Sequence, residues 1–472
     1  GYLTLNRLSS TLSGGESQRI NLATSLASSL VGSLYILDEP SIGLHSKDTQ
    51  KLISILHSLK DLGNTVVVVE HDEEIMMAAD EIIDIGPLAG KNGGKIIYQG
   101  KLIDMCNHSE SLTAKYLTNS ECIEVPIIRR NINYSVSISG ARENNLKNIS
   151  VTFPLECMTV VSGVSGSGKS SLVKQILLPA IQKSIQGYAA KIGAHDSVHG
   201  DLKRIQHIEF INQNPIGRSS RSNPVTYLKA YDEIRNLFAR QELSKARGYK
   251  SGHFSFNVTG GRCEVCEGEG EITIEMQFMA DVHLECESCK GQRFKNETLE
   301  IKFANKNISE ILKMTIDEAI SFFEKNDKSK IVSKLLPLQQ VGLGYIQLGQ
   351  SSNTLSGGEA QRIKLAFFLS KGHKSEKTMF IFDEPTTGLH FHDIKKLLNS
   401  FNALIENGHT IICVEHNLDV IKCADWLIDL GPEGGEKGGD LLFQGTPEDL
   451  IKNNTSYTAH FLKEKLLSSI QK

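Results

Sequence analysis

The chain has 472 residues, of which 40% are apolar and 22% are charged. These proportions are typical of a soluble globular protein, and the length suffices for about three domains. No apolar run approaches the roughly 18 residues of a membrane helix, and no basic start followed by an apolar stretch indicates a signal peptide. The net charge of −4 excludes a globally basic nucleic-acid binder, but not a locally basic one. We therefore expect a cytoplasmic protein with no membrane partner.

The first predicted element is a helix start that recurs later in the chain. Residues 11–20 read TLSGGESQRI and residues 354–363 read TLSGGEAQRI, with an offset of 343 residues between Ser13 and Ser356. In both copies a serine precedes a glutamate by three residues and leads into an amphipathic run. This pattern predicts a capping box, and a capped Gly-Gly helix start is also suited to binding an anion.

Apolar runs follow, and they recur as well. The offset is 345 residues both from Asp38 to Asp383 and from His71 to His416. Continuous β-branched and aromatic runs predict strands buried on both faces of a parallel sheet. The helical periodicity between them predicts an α/β layered fold. The matching segments are YILDEPSIGLH at 35–45 and FIFDEPTTGLH at 380–390, VVVEH at 67–71 and ICVEH at 412–416, and DIGPLAG at 84–90 and DLGPEGG at 429–435.

A glycine-rich loop belongs to the second copy. Residues 163–170 read GVSGSGKS between an apolar strand and a predicted helix, which is the G-x-x-x-x-G-K-[ST] phosphate loop. Lys169 would reach the β- and γ-phosphates and Ser170 would ligate Mg²⁺. The alternative is a flexible Gly/Ser loop, which the strand–loop–helix context disfavours. The predicted nucleotide ligands are Gly163, Gly166, Gly168, Lys169, Ser170 and Ser171. The counterpart of this loop would lie before residue 1, so the first copy is expected to be cut.

Residues 213–340 differ from the rest in composition, with many Gly, Cys and charged residues, and are predicted to be an insertion with short strands. Two C-x₂-C pairs with 19 residues between them are typical of a structural zinc site with four cysteine ligands. Buried thiols or a redox pair are the alternatives. The predicted zinc ligands are Cys263, Cys266, Cys286 and Cys289. The other five cysteines are scattered, and we expect them to be reduced.

Residues 212–262 form a basic segment with nine Lys and Arg against three acidic residues, a net charge of +6. Aromatic residues are interleaved with the charges. A solvated helix face is the ordinary alternative, but the neighbouring zinc module favours a surface that contacts phosphates. Nothing in the segment suggests readout of particular bases, so we expect salt-sensitive, sequence-tolerant binding. The candidate DNA-binding residues are Arg218, Arg221, Lys245, Arg247 and Lys250.

Acidic residues and a histidine end the later apolar runs. Asp383 would hold Mg²⁺ through water, and Glu384 would orient and deprotonate the attacking water. His416 would contact the γ-phosphate, although a lone histidine is more often structural. Gln213, after the run HIEFI, would sense the metal and the water, or simply bond to nearby backbone. The catalytic candidates are therefore Glu384, His416 and Gln213.

Several of these segments together resemble the UvrA family of the ATP-binding-cassette superfamily. They are GVSGSGKSSL, NQNPIGRSSRSNP, GHFSFNVTGGRCEVC, VGLGYIQLGQ, TLSGGEAQRIKLA and DEPTTGLHFHD. The resemblance runs from Ser9 to about Thr446 and corresponds to roughly the C-terminal half of such a protein. The family's members recognise DNA damage in bacterial nucleotide excision repair and hydrolyse ATP, and their signature region contacts DNA. The segment SKARGYK, which contains Lys245, Arg247 and Lys250, is similar to part of that region.

The resemblance also implies how the ATP site is assembled. In the superfamily, the LSGGE segment of one cassette closes over ATP held by the phosphate loop of the other. Ser13, Gly14, Gly15 and Glu16 would therefore complete the site of the second copy, and we expect one ATP per chain. The implied cofactors are ATP, Mg²⁺ and Zn²⁺. The implied partners are damaged double-stranded DNA, a second copy in a homodimer and, for a full-length parent, a UvrB-type repair protein.

The expected fold class is α/β, with two cassette-type ATPase cores, the first truncated, and a zinc-binding α+β insertion in the second. Two other functions remain open, namely a transport or antibiotic-resistance relative and a zinc/DNA-binding piece without productive ATPase. The expected boundaries are 1–33 for the tail of the first signature domain, 34–115 for the rear of the first ATP-binding domain, 116–135 for a linker, 136–212 for the front of the second ATP-binding domain, 213–369 for the second signature domain and 370–472 for the rear of the second ATP-binding domain.

Overall fold

The computed structural model describes residues 31–105, 108, 110–217, 221–274, 276, 281–371 and 376–470, and the single positions 6, 8, 20, 23 and 24. The residues Ser13–Glu16, predicted to contact ATP, and Arg218, predicted to contact DNA, lie outside the described residues. The chain divides into two compact units, one formed by residues 1–212 with 373–472 and the other by 213–372. Within the described ranges, no helix combines the length and the apolar character needed to cross a bilayer.

The strands are short, and most of them belong to the first unit. In chain order they are β1 Leu34–Asp38, β2 Thr65–Val69, β3 Ile82–Gly86, β4 Lys95–Gly100, β5 Ser135–Ala141, β6 Ile149–Pro154, β7 Met158–Gly163, β8 Ser197–Gly200, β9 His207–Ile211, β10 Glu271–Ile274, β11 Val282–Glu285, β12 Lys302–Phe303, β13 Lys306–Asn307, β14 Thr378–Asp383, β15 Thr410–Val414, β16 Trp426–Gly431 and β17 Asp440–Gly445.

The helices alternate with strands in the first unit and follow one another in the second. In chain order they are α1 Ser46–Asp61, α2 Glu73–Ala78, α3 Leu102–Met105, α4 Leu112–Leu117, α5 Leu178–Gln186, α6 Pro224–Tyr227, α7 Ala230–Ala239, α8 Glu242–Ala246, α9 Asn296–Leu299, α10 Ile308–Leu312, α11 Ile316–Lys325, α12 Ser329–Gln340, α13 Gly357–Leu369, α14 Phe391–Glu406, α15 Leu418–Ile421, α16 Pro447–Leu450 and α17 Tyr457–Ile470. A π-helical segment, Ser171–Leu177, leads into α5.

A six-stranded sheet in the order β17-β16-β7-β15-β14-β9 forms the centre of the first unit. Only β17 is antiparallel to its neighbour; the pairings among the other five strands are parallel. Every residue of β7 and β15 is buried, as is typical of a parallel sheet covered on both faces. Because β7, β15 and β14 are adjacent and parallel, the segments after their carboxyl ends meet at one edge of the sheet.

The repeated sequences form repeated structure. We call residues 31–117 the first repeat, and residues 135–212 with 376–470 the second repeat. β1 pairs with β2 in the same register as β14 with β15, since Asp38 faces Val69 where Asp383 faces Val414. The predicted helices between these strands are present as α1 and α14. The mixed α/β architecture is therefore confirmed.

The prediction that all four repeated strands are buried on both faces is wrong for the first repeat. The side chains of Leu34, Ile36, Val67 and Val69 are 46–68% exposed. Their counterparts on β14 and β15 are at most 2% exposed, because they share a core with Leu172, Val173 and Ile176 of the segment after the phosphate loop. β1 and β2 bury only the face that packs with α1.

The second unit is mainly helical around an aromatic core. Tyr231 and Phe238 of α7 are buried with Phe254 and Phe256, and Tyr231 stacks on Phe256 with ring centroids 5.0 Å apart. The interleaved aromatic residues of the basic segment thus belong largely to a core rather than to a binding surface. In the described part of this unit, the strands form two-stranded pairs, of which β10 and β11 make an antiparallel hairpin.

Candidate ATPase site and zinc centre

The phosphate loop, residues 163–170, follows β7 as the sequence predicted. Gly163 has φ of +129°, and a Cβ atom there would lie 2.0 Å from the carbonyl oxygen of Leu430 on the neighbouring strand. Only glycine therefore allows the loop to leave the sheet at this point. Ser170 is exposed at the start of the helical segment, where its hydroxyl is accessible to a metal.

Lys169 is folded over the loop that carries it. Its Nζ donates hydrogen bonds to the carbonyl oxygens of Gly163 and Val164, each 2.9 Å away. Burial lowers the pKa of Lys169 to about 8, against the opposing influence of carboxylates led by Glu384. The side chain is 7% exposed, so its positive charge acts in a weakly screened environment.

The side chain of Asn145 supports the phosphate loop, which sequence reasoning missed. Asn145 Nδ2 donates to the carbonyl oxygens of Gly166 (2.9 Å) and Gly435 (3.0 Å). The Gly435 N–H also donates to the Gly166 carbonyl oxygen, at 3.0 Å. These bonds fix the position of the Gly166 carbonyl within the loop. Asn145 has no motif of its own, so no sequence signal indicated this role.

Asp383 and Glu384 follow β14 at the same edge of the sheet. Asp383 lies 2.6 Å from Lys174 Nζ, which belongs to the helical segment after the phosphate loop. Glu384 has φ of +46°, a left-handed conformation that is strained for a residue with a side chain. Burial, and then the neighbouring Asp383 and Glu415, raise the pKa of Glu384 to about 7. A carboxylate with such a pKa is suited to accepting a proton at neutral pH.

Glu415 connects the segments that follow β14 and β15, and sequence reasoning missed it too. It is 2% exposed and accepts hydrogen bonds from the Thr386 N–H (2.9 Å), the Thr386 hydroxyl (2.6 Å) and the His416 N–H (2.7 Å). Burial raises its pKa, while these donors act in the opposite direction. The available signal was the repeated VEH triplet, because Glu70 makes the equivalent bonds to Ser41 and His71. His416 itself is 8% exposed.

Each repeat inserts a glycine against the glutamate of the other repeat. A Cβ atom on Gly43 would lie 3.0 Å from Glu384 Oε2, and one on Gly388 would lie 3.1 Å from Glu39 Oε1. Glu39 is also left-handed, with φ of +45°, and its Oε1 is 3.7 Å from His71 Nε2. The segment after each DEP triplet thus contacts the glutamate of the other repeat, which neither copy of the sequence reveals alone.

The second LSGGE copy begins α13 with the predicted capping box. Ser356 Oγ accepts from the Glu359 N–H (3.2 Å), and the Ser356 N–H donates to Glu359 Oε2 (2.8 Å). Gln213 is exposed and belongs to the same unit, where a Cβ atom on Gly357 would lie 2.9 Å from its Cβ. The catalytic role of Gln213 therefore stays a prediction.

The four predicted cysteine ligands lie together beside the β10–β11 hairpin. Their sulfur atoms are all within 4.8 Å of one another, and all four residues are buried. The Sγ atoms of Cys263 and Cys286 are 4.0 Å apart, and those of Cys266 and Cys289 are 3.6 Å apart. A tetrahedron with zinc–sulfur bonds of about 2.3 Å has sulfur–sulfur edges of about 3.8 Å, so the cluster fits the ion.

The basic segment presents its charges unevenly. Lys245 and Lys250 are exposed, whereas Arg247 bonds to the Glu300 carboxylate and to the Glu297 carbonyl oxygen. Arg221 is paired with Glu267 (3.0 Å) and Glu269. Of the described candidate residues, the two lysines are therefore the ones best placed to contact a phosphate backbone.

Comparison with known proteins agrees with the resemblance in the sequence. No family model matches the chain. UvrABC system protein A of Clostridium acetobutylicum is 55% identical over 466 residues, which cover 98% of this chain and 49% of that protein. The chain belongs to the UvrA family. It spans about half the length of the curated relatives it matches.

Solved structures give the same assignment to the UvrA family. UvrA2 from Deinococcus radiodurans is similar with a TM-score of 0.91 and 45% identity, over 98% of this chain and 56% of that one. The RNase-L inhibitor is similar with a TM-score of 0.50 and 16% identity, over 95% and 67% of the two chains, which shows a shared fold alone. The similarity to UvrA proteins covers 98% of this chain. It therefore extends over the segments that carry the phosphate loop, the DEP triplets and the cysteine cluster.

Proposed function

We propose that this chain holds an ATP-hydrolysing site of a UvrA-type DNA damage sensor. The observation that supports it most is Glu384, a glutamate with a pKa near 7 at the edge of the sheet that carries the phosphate loop. A proton acceptor, a buried lysine and a set of backbone N–H groups are thereby brought to one edge of the sheet. This combination suits the transfer of a phosphoryl group to water.

The residues would divide the reaction as follows. The phosphate loop and Lys169 bind and orient the phosphates of ATP, and Lys169 offsets the charge that develops on them. Glu384 orients a water molecule and accepts its proton. Ser170 and Asp383 would hold Mg²⁺, which when bound neutralises phosphate charge. Ser13–Glu16 of the first copy would close over the nucleotide, and Gln213 and His416 would assist near the γ-phosphate.

The second unit would supply the DNA contact. Lys245 and Lys250 are exposed, and the four cysteines fit a structural Zn²⁺ that would fix the adjoining hairpin. Damaged double-stranded DNA is the proposed ligand, with homodimer formation and hand-over to a UvrB-type protein proposed for the whole protein. The relatives carry the name UvrABC system protein A, which supports a role in that repair system, and the exposure of the two lysines supports contact with a phosphate backbone.

The test is steady-state ATPase activity with and without damaged duplex DNA. We expect Glu384→Gln to retain nucleotide binding and to lose at least about 100-fold in kcat, since the general base is removed. Glu39→Gln is the matched control, because Glu39 occupies the equivalent left-handed position in the first repeat. Near-normal turnover of Glu384→Gln would contradict the proposed role of this residue.

The same assay separates the alternatives. ATPase activity that responds to damaged DNA supports the damage sensor. ATPase activity indifferent to DNA would indicate a transport or resistance relative instead. DNA binding without turnover would indicate a zinc/DNA-binding piece.

A further inference from the structure

Both DEP segments end in a histidine, His45 and His390, to which the proposed reaction assigns no role. Each begins a helix as its N-cap residue. His45 Nδ1 accepts the Lys47 N–H at 3.2 Å, and His390 Nδ1 accepts the His392 N–H at 3.3 Å. Because Nδ1 accepts in both rings, a neutral ring carries its proton on Nε2, which must then donate.

Both Nε2 atoms point to a threonine of the opposite repeat. His45 Nε2 is 3.1 Å from Thr458 Oγ1, and His390 Nε2 is 3.2 Å from Thr113 Oγ1. Each threonine hydroxyl in turn donates to a carboxylate on its own repeat, Thr458 to Asp429 at 2.8 Å and Thr113 to Asp84 at 2.9 Å. The chain of bonds therefore has one direction, from histidine through threonine to aspartate, in both halves.

The first of these chains ends beside the phosphate loop. Asp429 is 1% exposed, and it also accepts from Ser162 Oγ (2.7 Å) and Ser456 Oγ (2.5 Å). Ser162 immediately precedes Gly163, the first residue of the loop. A buried carboxylate depends on such donors, so the loss of one would disturb the strand end from which the loop departs. We call His45, Thr458, Asp429 and Ser162 the cross-repeat relay.

The segment that contains His45 also contacts Glu384, the candidate general base. Gly43, two residues before His45, lies against the Glu384 carboxylate, and its carbonyl oxygen accepts from Ser165 Oγ at 3.3 Å. The ring of His45 also meets the ring of His416 edge-on, with centroids 6.1 Å apart. One short segment of the first repeat therefore touches the base, the phosphate loop and the support of that loop.

We propose that His45 is a positioning residue, which through the cross-repeat relay aligns the phosphate loop of the second repeat only when the first repeat is docked. The inference rests on the proposed ATPase function. ATP turnover would then depend on docking between the repeats as well as on the loop itself. A purely structural role of His45, as a helix cap in a packed core, is the alternative that the test must separate.

Two substitutions separate the two bonds of His45. In His45→Asn the amide oxygen replaces Nδ1 and keeps the cap, but the side chain is too short to reach Thr458. In His45→Gln the amide nitrogen replaces Nε2 and keeps the donor to Thr458, but the cap is weakened. Two substitutions of Thr458 test the same hydrogen bond at its acceptor. Thr458→Val removes the hydroxyl that accepts from His45 Nε2, whereas Thr458→Ser keeps it.

Two readouts are needed on the full chain. We expect His45→Asn and Thr458→Val to lower kcat about 5- to 150-fold, the range of typical coupling between sites, with KM changed less than about threefold. Both variants should also speed amide hydrogen exchange in residues 163–169 without nucleotide. His45→Gln and Thr458→Ser should do neither. His390→Asn is the matched control, since its chain of bonds ends at Asp84 rather than beside this phosphate loop.

The outcomes are distinguishable. If kcat and exchange in residues 163–169 stay unchanged in His45→Asn and Thr458→Val, or if His45→Gln behaves as His45→Asn does, the relay is overturned and the proposed ATPase stands. If the unaltered chain does not hydrolyse ATP, the proposed function fails, and the exchange measurement alone decides the relay.

Discussion

Two glutamates with the same neighbours in sequence, Glu39 and Glu384, differ in what surrounds them. Both follow a strand-ending aspartate and precede a proline, and both are left-handed. Burial is the largest cause that raises the pKa of each, and neighbouring carboxylates add to it, Asp38 and Glu70 at Glu39 and Asp383 and Glu415 at Glu384. A cation opposes the rise in both places, His71 at Glu39 and Lys169 at Glu384, and the rise is large at Glu384, to about 7. The repeated motif thus gives the same backbone and equivalent acidic neighbours twice, and the deeper burial of Glu384 accounts for its larger pKa shift.

At the residue scale, the pH dependence of turnover follows from two perturbed groups. Glu384 must be ionised to accept a proton, so its raised pKa in the nucleotide-free chain predicts that kcat/KM increases with pH through about 7. Lys169 must be protonated, so its lowered pKa of about 8 predicts a decrease above that value. We therefore expect a narrow bell-shaped profile in steady-state ATPase assays. The Glu39→Gln control should keep the profile, and a flat response between pH 6 and about 9 would contradict both assignments.

At the element scale, equivalent strands in the two repeats have different roles in stability. Ile381 on β14 is fully buried, whereas its counterpart Ile36 on β1 is 68% exposed. We expect Ile381→Ala to lower the free energy of unfolding by about 2–5 kcal/mol because it leaves a cavity. Ile36→Ala should change it by less than about 0.5 kcal/mol. Urea unfolding followed by circular dichroism measures both, and equal losses would contradict the difference in burial.

At the same scale, we expect the hairpin of β10 and β11 to depend on the cysteine cluster for its fold. Its strands are short and largely exposed, so little apolar burial holds them. We expect one zinc ion per chain by elemental analysis, and its loss in Cys286→Ser, because a structural site needs all four ligands. Cys157→Ser is the control, since Cys157 is buried outside the cluster. Full zinc content in Cys286→Ser would contradict the assignment.

At the scale of the whole molecule, DNA affinity should depend on the basic segment rather than on net charge. We expect Lys245→Glu with Lys250→Glu to weaken binding to damaged duplex at least about tenfold at low salt and to reduce the salt dependence. Lys313→Glu with Lys325→Glu is the control for net charge, because it changes two exposed lysines of the same unit outside the segment. Fluorescence anisotropy titration measures both variants, and unchanged affinity of the Lys245→Glu, Lys250→Glu variant would place the DNA surface elsewhere.

Much of the site could be predicted because its parts are local. The phosphate loop, the strand-ending Asp383 and Glu384 and the paired cysteines each carry their spacing in a few consecutive residues. The core position of Tyr231 and Phe238 could not be predicted, because a helix that carries both charges and aromatic residues does not say which face is covered. The exposure of Ile36 could not be predicted either, because the same side chain is buried at the equivalent position, Ile381.

The sequence by itself determined the repeat, the α/β alternation, the phosphate loop, the capping box of α13 and the four cysteines as one set, because these follow from spacing along the chain. Only the tertiary structure decided which residues of one repeat meet the other, as Gly43 meets Glu384 and His45 meets Thr458. Those partners are separated by hundreds of residues, and their contact follows from the packing of whole layers. No local pattern records such packing, since the side chains involved would form the same helices and strands without it.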